Sequence, residues 1–345
     1  MFFKRSITVM LLFFLLGAAS PLLAQEAETP SQAQDEIDSI LYGEAGVGGV
    51  IQRLGKVESD LFGRELPGSI SERQLGLLNF IRNGTLGQPS MVFKTGVAEW
   101  AVLHEVRSDM SLNRRISEIE RQLEGAAGED RPLAMRLERI LSLLITGQVT
   151  WQDVRVPANM VFRASFIDRI SPKSAAAGDV VRLKMEDHLS IEGYLVAPRG
   201  SRIIARVDKV KPPRSFGRPS EISFVFDRLE PLGPEEIPVF LGDAAVLASK
   251  SDKTVAAAAG TSALGFILLG PIGLAGGFLV KGDAQEIPPG SVIYLETSAL
   301  SNVKGYPVPP SLKGLLESSE YNVSGDSEGT ETDTNQEGGV QSEQD

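Results

Sequence analysis

The 345-residue chain contains no cysteine and only two histidines, His104 and His188. Without cysteine the protein cannot form disulfides, carry a cysteine-linked lipid or perform thiol redox chemistry. Zinc sites and related metal sites built on cysteine and histidine ligands are nearly excluded for the same reason. We therefore expect neither a metal site nor another cofactor.

A strongly basic surface is also missing, since 34 lysines and arginines are outnumbered by 45 aspartates and glutamates, for a net charge of −11. Nine of the acidic residues lie between Glu317 and Asp345, where there is no lysine or arginine, so the remaining chain is near neutral. Binding of nucleic-acid phosphates needs a basic surface. A nucleic-acid partner is therefore not expected.

Sequence patterns typical of catalysis are lacking as well. Residues 270–277 are rich in glycine but are not followed by the Gly-Lys-Ser/Thr of a phosphate-binding loop, and residues 260–265 lack the spacing of a nucleophile elbow. His104 shares a helical face with Trp100 and is interpreted as a packing residue. We predict that the protein is not an enzyme and has no catalytic residues.

The amino terminus has the three parts of a secretory signal peptide. Lys4 and Arg5 precede an uncharged stretch from Ser6 to Leu16, and small residues end at Ala24, before the polar Gln25. The apolar stretch is shorter than the roughly 20 residues of a membrane span, which favours cleavage after Ala24 over an uncleaved anchor helix. The mature protein is therefore expected in the periplasm or outer membrane of a bacterium with two membranes.

Composition and periodicity divide the chain into five consecutive parts. The predicted boundaries are a signal peptide at 1–24, a disordered leader at 25–34, a helical repeat domain at 35–148, a β domain at 154–313 and a disordered acidic tail at 314–345. The expected fold class is α+β, with a bundle of short helices followed by a β-barrel or sandwich.

Two short motifs recur in the helical half. A hydrophobic residue followed three positions later by arginine marks four segments: 50–54, 70–74, 112–116 and 133–137. Glycine two positions after leucine marks three helix ends, at Gly43, Gly63 and Gly125, because glycine accepts the left-handed conformation that closes a helix. Leu61 and its counterpart Leu123 are expected in the core. We interpret the motifs as a tandem duplication, with chance similarity among amphipathic helices as the alternative.

Strand signals begin near Val154. A proline and a turn-forming residue precede an extended apolar run at three places, 157–162, 198–204 and 288–294. Further strands are predicted at 180–185, 191–196, 222–226 and 237–240. Short strands joined by tight turns favour a barrel or a sandwich.

One apolar segment, residues 254–280, interrupts the β pattern and carries no charged side chain. We predict a helical hairpin broken at Gly270 and Pro271, with Gly273 and Gly277 allowing close packing against membrane or copies of itself. The candidate membrane or self-association residues also include Gly265. The alternative is that the hairpin packs on its own β domain as ordinary core.

One basic patch is visible in the β half. It comprises Lys209, Lys211, Arg214 and Arg218 in a proline-rich stretch. Such a patch suits an anionic envelope polymer or a lipid head group. The alternative interpretation is an ordinary charged loop between two strands.

The order of turn motifs in residues 154–300 resembles the carboxy-terminal β domain of TrbI-like proteins, which form the outer-membrane core of type IV secretion and conjugation machines. The motifs are VPAN at 156–159, AGDV at 177–180, APRGSR at 197–202, FDRL at 226–229 and IPPG at 287–290. In that family a hydrophobic helical excursion lines a pore across the outer membrane, and residues 254–280 fall in the corresponding place. A looser similarity links the region to bacterial envelope proteins with a Gly/Ala-rich apolar insert. The resemblance implies an envelope location.

These observations together predict a noncatalytic structural or assembly component of the cell envelope. We expect association with the outer membrane through residues 254–280, and with other envelope proteins or copies of the chain itself. The alternative is a periplasmic binding module for a glycan or a peptide.

Overall fold

The computed structural model describes residues 29–85, 87–128, 130–211, 220–252, 267–269, 278–282 and 286–317. Within them the chain mixes helix and sheet, with eight α-helices, a closed six-stranded barrel and a curled half-barrel sheet. At this level the predicted α+β class is confirmed. The predicted signal peptide and residues 318–345 of the predicted tail lie outside the described residues.

The amino-terminal half, called the helical unit here (residues 30–144), consists of six α-helices. They are α1 (Pro30–Tyr42), α2 (Val50–Phe62), α3 (Ile70–Leu78), α4 (Met91–Leu103), α5 (Leu112–Glu124) and α6 (Leu133–Leu144), and a π-helical turn (Asn79–Asn83) follows α3. Helices α2, α3, α5 and α6 each begin at the first residue of a predicted arginine motif. Gly43, Gly63 and Gly125 close α1, α2 and α5 with φ of +94°, +73° and +80°, as predicted.

Helix α1 begins inside the segment predicted to be a disordered leader. The Thr29 hydroxyl accepts the Gln32 N–H at 3.3 Å, and the Gln32 side chain accepts the Thr29 N–H at 2.9 Å, while Pro30 occupies the first helical position. This arrangement is a capping box. The predicted boundary after residue 34 is wrong because this start signal lies in a short polar stretch that has no apolar period.

Leu61 is buried, as predicted, within apolar stripes of α2 and α5 that are buried at five positions: Leu54, Val57, Leu61, Ile116 and Ile119. Leu123 is instead 37% exposed, so its predicted core role is wrong. The difference lies in what covers the helix ends. A Cβ at Gly63 would lie 3.2 Å from Pro132, whereas nothing among the described residues lies within 4 Å of the same position at Gly125.

The second half is mainly strand. Its elements are β1 (Gln152–Val156), β2 (Val161–Phe166), β3 (Val180–Met185), β4 (Leu189–Ile191), β5 (Tyr194–Ala197), β6 (Arg202–Lys211), β7 (Ser220–Leu229), β8 (Ile237–Phe240), α7 (Asp243–Ser251), β9 (Ile267–Leu269), β10 (Phe278–Gly282), β11 (Val292–Thr297), β12 (Ser301–Pro307), a 3₁₀ turn (Pro310–Leu312) and α8 (Gly314–Glu317). The predicted strands at 180–185 and 237–240 are confirmed with the same limits. The predicted strand at 191–196 is divided between β4 and β5 by a turn with positive φ at Glu192 and Gly193.

The barrel consists of six antiparallel strands in the order β6-β3-β2-β11-β8-β7, closed by the pairing of β7 with β6. Strands β10 and β9 continue from β7 outside this ring. The half-barrel sheet has the order β1-β12-β5-β4. Its Leu195 and Tyr306, with Val308 directly after β12, belong to the hydrophobic core of the helical unit, so this sheet joins the helices to the barrel.

Helix α7 covers the outer face of β11 and was not predicted. Residues 293–297 of β11 are all buried, although alternate side chains of a strand point to opposite faces. Ala245 and Val246 of α7 belong to the barrel core, and the buried Glu296 carboxylate accepts the Ala245 N–H at 2.7 Å. The Glu296 carboxylate therefore caps the amino end of α7.

The two described pieces of the apolar segment are strands, not helices. Ile267–Leu269 pairs with Phe278–Gly282, which pairs in turn with β7. The predicted helical hairpin is wrong for these pieces. Phe278 and Val280 are residue types that favour strands, and their strand lies beside β7, which supplies its backbone partners. The strand Phe278–Gly282 in turn supplies backbone partners to Ile267–Leu269.

The carboxy-terminal end of the described chain is docked on the helical unit. Gly314–Glu317 forms α8, and Leu316 is 6% exposed within the helical core. The predicted disordered tail therefore begins too early at residue 314, because Leu315 and Leu316 provide apolar surface that the acidic residues after them lack.

Candidate functional site

Strands β6 and β7 connect two opposite ends of the barrel. At the first end Arg202, where β6 starts, donates to the Ser108 carbonyl, and Leu232 after β7 packs in the helical core. At the second end Lys211 and Ser220 border residues 212–219, and β10 pairs with residues 220–224. Each strand has ten residues, which corresponds to about 30 Å. We call these the helical end and the insertion end.

Two of the four residues of the predicted basic patch are among the described residues. Lys209 and Lys211 lie in β6 near the insertion end, not in the predicted loop, because β6 continues its pairing with β7 to residue 211. The Lys209 ammonium lies 3.7 Å from the Asp208 carboxylate and is largely exposed. Arg214 and Arg218 lie outside the described residues, as do Gly265, Gly270, Pro271, Gly273 and Gly277.

A cavity of about 520 Å³ lies at the helical end, between the helical unit and the barrel. We call it the junction cavity. Most of its lining comes from three places: the start of α5 with the loop before it (108–112 and Arg115), the start of β6 (Ser201 and Arg202), and the loop after β7 (230–236). Residues of α1 and α4, with Arg82, Val106 and Arg182, complete the lining. None of these residues was selected from the sequence, because they are far apart along the chain.

Ser111 occupies the N-cap position of α5 at the wall of this cavity. Its hydroxyl does not cap the helix and has no hydrogen-bond partner among the described residues, although the residue is only 6% exposed. Ser69 and Ser90 occupy the same position before α3 and α4, and there the hydroxyl accepts an N–H of the first turn. The first turn of α5 therefore lacks a side-chain cap.

Arg202 supplies the second unusual group of the cavity. Its Nη2 donates to the Ser108 carbonyl, and its Nη1 lies 3.9 Å from the Glu230 carboxylate. Its Nε is buried and has no hydrogen-bond partner among the described residues. A donor in this state costs free energy unless another acceptor reaches it.

The remaining charges around the cavity are mixed in sign. Arg115 is held by the Glu99 carboxylate, with Nε–O distances of 3.0 and 3.1 Å and an Nη2–O distance of 2.7 Å. Glu235 pairs with Lys304, and Glu236 lies 2.9 Å from Arg228. The cavity is therefore polar and nearly balanced in charge, in contrast to a basic phosphate site.

The same junction is fixed by two hydrogen bonds to backbone carbonyls. The Val106 N–H donates to the Arg199 carbonyl at 2.8 Å, and the Ser108 hydroxyl donates to the Gly200 carbonyl at 2.8 Å. Gly200 has φ of +85°, and a Cβ there would collide with the Val106 carbonyl oxygen. Glycine is therefore required where the loop before α5 meets the barrel.

Both histidines lie near this junction, and the role of His104 differs from the predicted one. His104 is exposed and ends α4 with φ of +57°, so its predicted packing role is wrong. His188 lies edge-on to Trp100, with ring centroids 6.3 Å apart, and its Nδ1 accepts the Arg199 N–H at 2.8 Å. Burial, followed by the positive charge of Arg199, lowers the pKa of His188 to about 4.

A buried carboxylate with two kinds of partner recurs four times in the helical unit. It accepts the N–H of the residue eight positions later and pairs with an arginine of the following helix. The sets, which we call carboxylate clamps, are Asp38 with Gly46 and Arg53, Glu58 with Leu66 and Arg73, Glu99 with Arg107 and Arg115, and Glu120 with Gly128 and Arg136. The four paired side chains are the arginines of the predicted motif. Their acidic partners were missed, although a spacing of 15 or 16 residues is visible in the sequence.

Comparison of the chain with models of protein families and with curated proteins gave no match. Among the described residues, no helix has the length and hydropathy needed to cross a membrane. The same residues contain no cluster of three or more aspartate, glutamate, histidine or cysteine side chains arranged to hold a metal ion.

Proposed function

We propose that the protein is a noncatalytic structural or assembly component of the cell envelope. In this proposal the helical unit and the apolar segment 254–280 act at opposite ends of the barrel. The observation that carries the proposal is the pairing of β10 with residues 220–224 of β7, at the insertion end. The signal-like amino terminus and the resemblance to TrbI-like proteins support the same envelope location.

The apolar segment is attached to the barrel on both sides. Before it, α7 is held by the contact of Ala245 with Glu296, and the Tyr294 hydroxyl donates to the Asp252 carboxylate at 2.7 Å. At its end, β10 is held by five residue pairs with β7. Attachment of this kind suits an apolar segment that a rigid barrel presents to an outer membrane or to other copies of the chain.

The carboxylate clamps support a related proposal, that the helical unit is a tandem duplication. Each clamp joins two consecutive helices and the turn between them with the same set of contacts. Chance similarity of amphipathic helices would not reproduce a buried acid, a turn N–H and an arginine at matching positions. A repeated unit of this kind suits assembly with other envelope proteins.

Fractionation of the native envelope tests the membrane part of the proposal. The full chain is expected to stay with outer membranes after salt and carbonate washes. A variant in which residues 254–266 are replaced by a Gly/Ser linker of the same length, with β9 and β10 retained, is expected to become soluble. A variant lacking residues 318–345 is the matched control and should stay with the membrane.

Two results would contradict this proposal. Release of the full chain by salt alone would show that no apolar contact holds it to the membrane. Unfolding of the linker variant, measured by circular dichroism, would show that residues 254–266 are part of the β-domain core.

A second candidate function is a periplasmic binding module for a glycan or a peptide. The junction cavity favours it, because Ser111 and Arg202 bring buried donors without protein acceptors to one place. The two functions differ on the apolar segment, since a binding module would keep its ligand after residues 254–266 are replaced.

A further inference from the structure

We propose that the junction cavity binds a short peptide through its free carboxylate, held by the Ser111 hydroxyl, the first-turn N–H groups of α5 and Arg202 Nε. This proposal deepens the second candidate function and does not depend on membrane association. The cavity volume of about 520 Å³ lies within the roughly 300–1,000 Å³ range of small-ligand sites.

The start of α5 provides the electrostatic part of the site. The first N–H groups of a helix have no partner within the helix, and the helix dipole places partial positive charge there. Ser111 does not cap this turn, and no acidic residue lies in it. Leu112 and Arg115 of the same turn line the cavity, so this end of the helix faces it. Helix ends of this kind bind carboxylates and phosphates.

Two side-chain donors point independently to a missing acceptor. Ser111 is more than nine-tenths buried and its hydroxyl has no partner among the described residues. Arg202 Nε is also buried and without a partner among the described residues, although the whole side chain is 29% exposed, and its Nη2 is fixed on the Ser108 carbonyl. Buried donors are nearly always paired in proteins, and the oxygens of one carboxylate can satisfy both.

The other walls of the cavity decide what kind of anion fits. The lining carries five acidic side chains and four arginines, a nearly balanced set that favours a carboxylate with one negative charge over a phosphate with two: Glu36, Asp109, Glu230, Glu235 and Glu236, and Arg82, Arg115, Arg182 and Arg202. The same carboxylates can attract the ammonium group of a peptide. Val106 and Leu232 line the cavity as well and offer apolar contact to a small side chain. A short peptide with free ends matches this combination.

Calorimetric titration of the full mature chain with trialanine and with trialanine amide tests the proposal. Trialanine should bind saturably. The amide should bind at least about tenfold more weakly, because the amide lacks the charged acceptor. Ser111→Ala should weaken trialanine binding by about tenfold without changing the melting temperature, since this hydroxyl does not cap α5. Ser90→Ala is the matched control. Its hydroxyl caps α4 at 3.2 Å from the Phe93 N and lies outside the cavity lining, so this variant should melt earlier but bind normally.

Four outcomes would overturn the assignment. The first is the absence of saturable trialanine binding in the millimolar range, and the second is equal binding of the acid and the amide. Equal weakening by Ser111→Ala and Ser90→Ala would show that binding follows stability and not the cavity. Displacement of trialanine by a lower concentration of inorganic phosphate would replace the carboxylate with phosphate as the preferred anion. None of these results depends on where the protein fractionates.

Discussion

The clamp formed by Glu58 and Arg73 allows a quantitative test of how the helical unit is held together. The Glu58 side chain is fully buried and that of Arg73 is 12% exposed. Arg73 Nε donates to Glu58 Oε1 at 2.7 Å, Arg73 Nη2 donates to Oε2, and the Leu66 N–H reaches Oε2 at 3.1 Å. Removing the arginine leaves a buried carboxylate with a single backbone donor.

We expect Arg73→Met to lower the free energy of unfolding by about 3–5 kcal/mol at pH 7, because breaking one side of a buried ion pair leaves an uncompensated charge. The double variant Glu58→Gln/Arg73→Met should lose less than the sum of the two single variants, with a coupling of about 1–3 kcal/mol. Lys56→Ala removes an exposed pair with Asp60 in the same helix and should cost less than about 1 kcal/mol. Urea denaturation of the four variants and the wild type measures these differences.

Acidification is expected to have opposite effects on this clamp in the wild type and in Arg73→Met. Burial alone would raise the pKa of Glu58, but the hydrogen bonds from Arg73 and Leu66 outweigh it and leave the pKa below its ordinary value. In the wild type the contribution of the ionised Glu58 to folding stability is therefore present above the ordinary glutamate pKa. It is lost as pH falls through the lowered pKa of the folded state. In Arg73→Met burial dominates, so protonation relieves the buried charge and the deficit should shrink on acidification. A loss below about 1 kcal/mol at pH 7, or a deficit independent of pH, would refute the reasoning.

Three further predictions concern the core and the junction. Leu61→Ala should lower the free energy of unfolding by about 2–5 kcal/mol because the side chain is fully buried. Leu123→Ala should lower it by less than about 1 kcal/mol, and equal urea midpoints for the two variants would contradict this difference. Gly200→Ala should lower the melting temperature, since the added Cβ collides with the loop before α5 and φ is positive; an unchanged melting curve would show that the junction is not tight. The lowered pKa of His188 means that the folded protein keeps this side chain neutral, so stability should not depend on it above pH 6.5 and should decline as pH falls towards 4. The decline should be on the order of 1 kcal/mol after allowance for partial exposure. His188→Gln should flatten this slope, and an unaltered slope would assign it to other groups.

Features set by local chemistry were predictable from the sequence. Four helices begin at the arginine motif, and glycines with positive φ end three helices, because helix starts and ends depend on a few neighbouring residues. The strands β3 and β8 also lie where turn residues and apolar runs place them. The capping box at Thr29 is equally local and was available to sequence reasoning.

Features that depend on distant residues were not predictable in this way. Helix α7 lies in a region of strand signals, and its amino end is capped by Glu296, 51 residues away from Ala245. Likewise, Ser111 and Arg202 meet only because the loop before α5 docks on the start of β6. A single sequence contains no local pattern that predicts such a meeting.

The clamp of Glu99 with Arg107 and Arg115 explains why Arg115 is not a ligand group of the junction cavity, although Arg115 lines the wall. Buried ion pairs contribute little net stability compared with apolar residues of similar size. The four clamps of the helical unit are therefore better explained by the positions that they fix than by the free energy of folding that they contribute. Glu99 accepts the Arg107 N–H at 3.2 Å and holds the Arg115 guanidinium, and it therefore fixes the loop before α5 and α5 itself. That loop carries Ser108, which contacts Gly200 and Arg202, and it leads directly into Ser111. The positive charge of Arg115 is already neutralised by Glu99, so the attraction for an anion must come from the α5 amino end, Ser111 and Arg202.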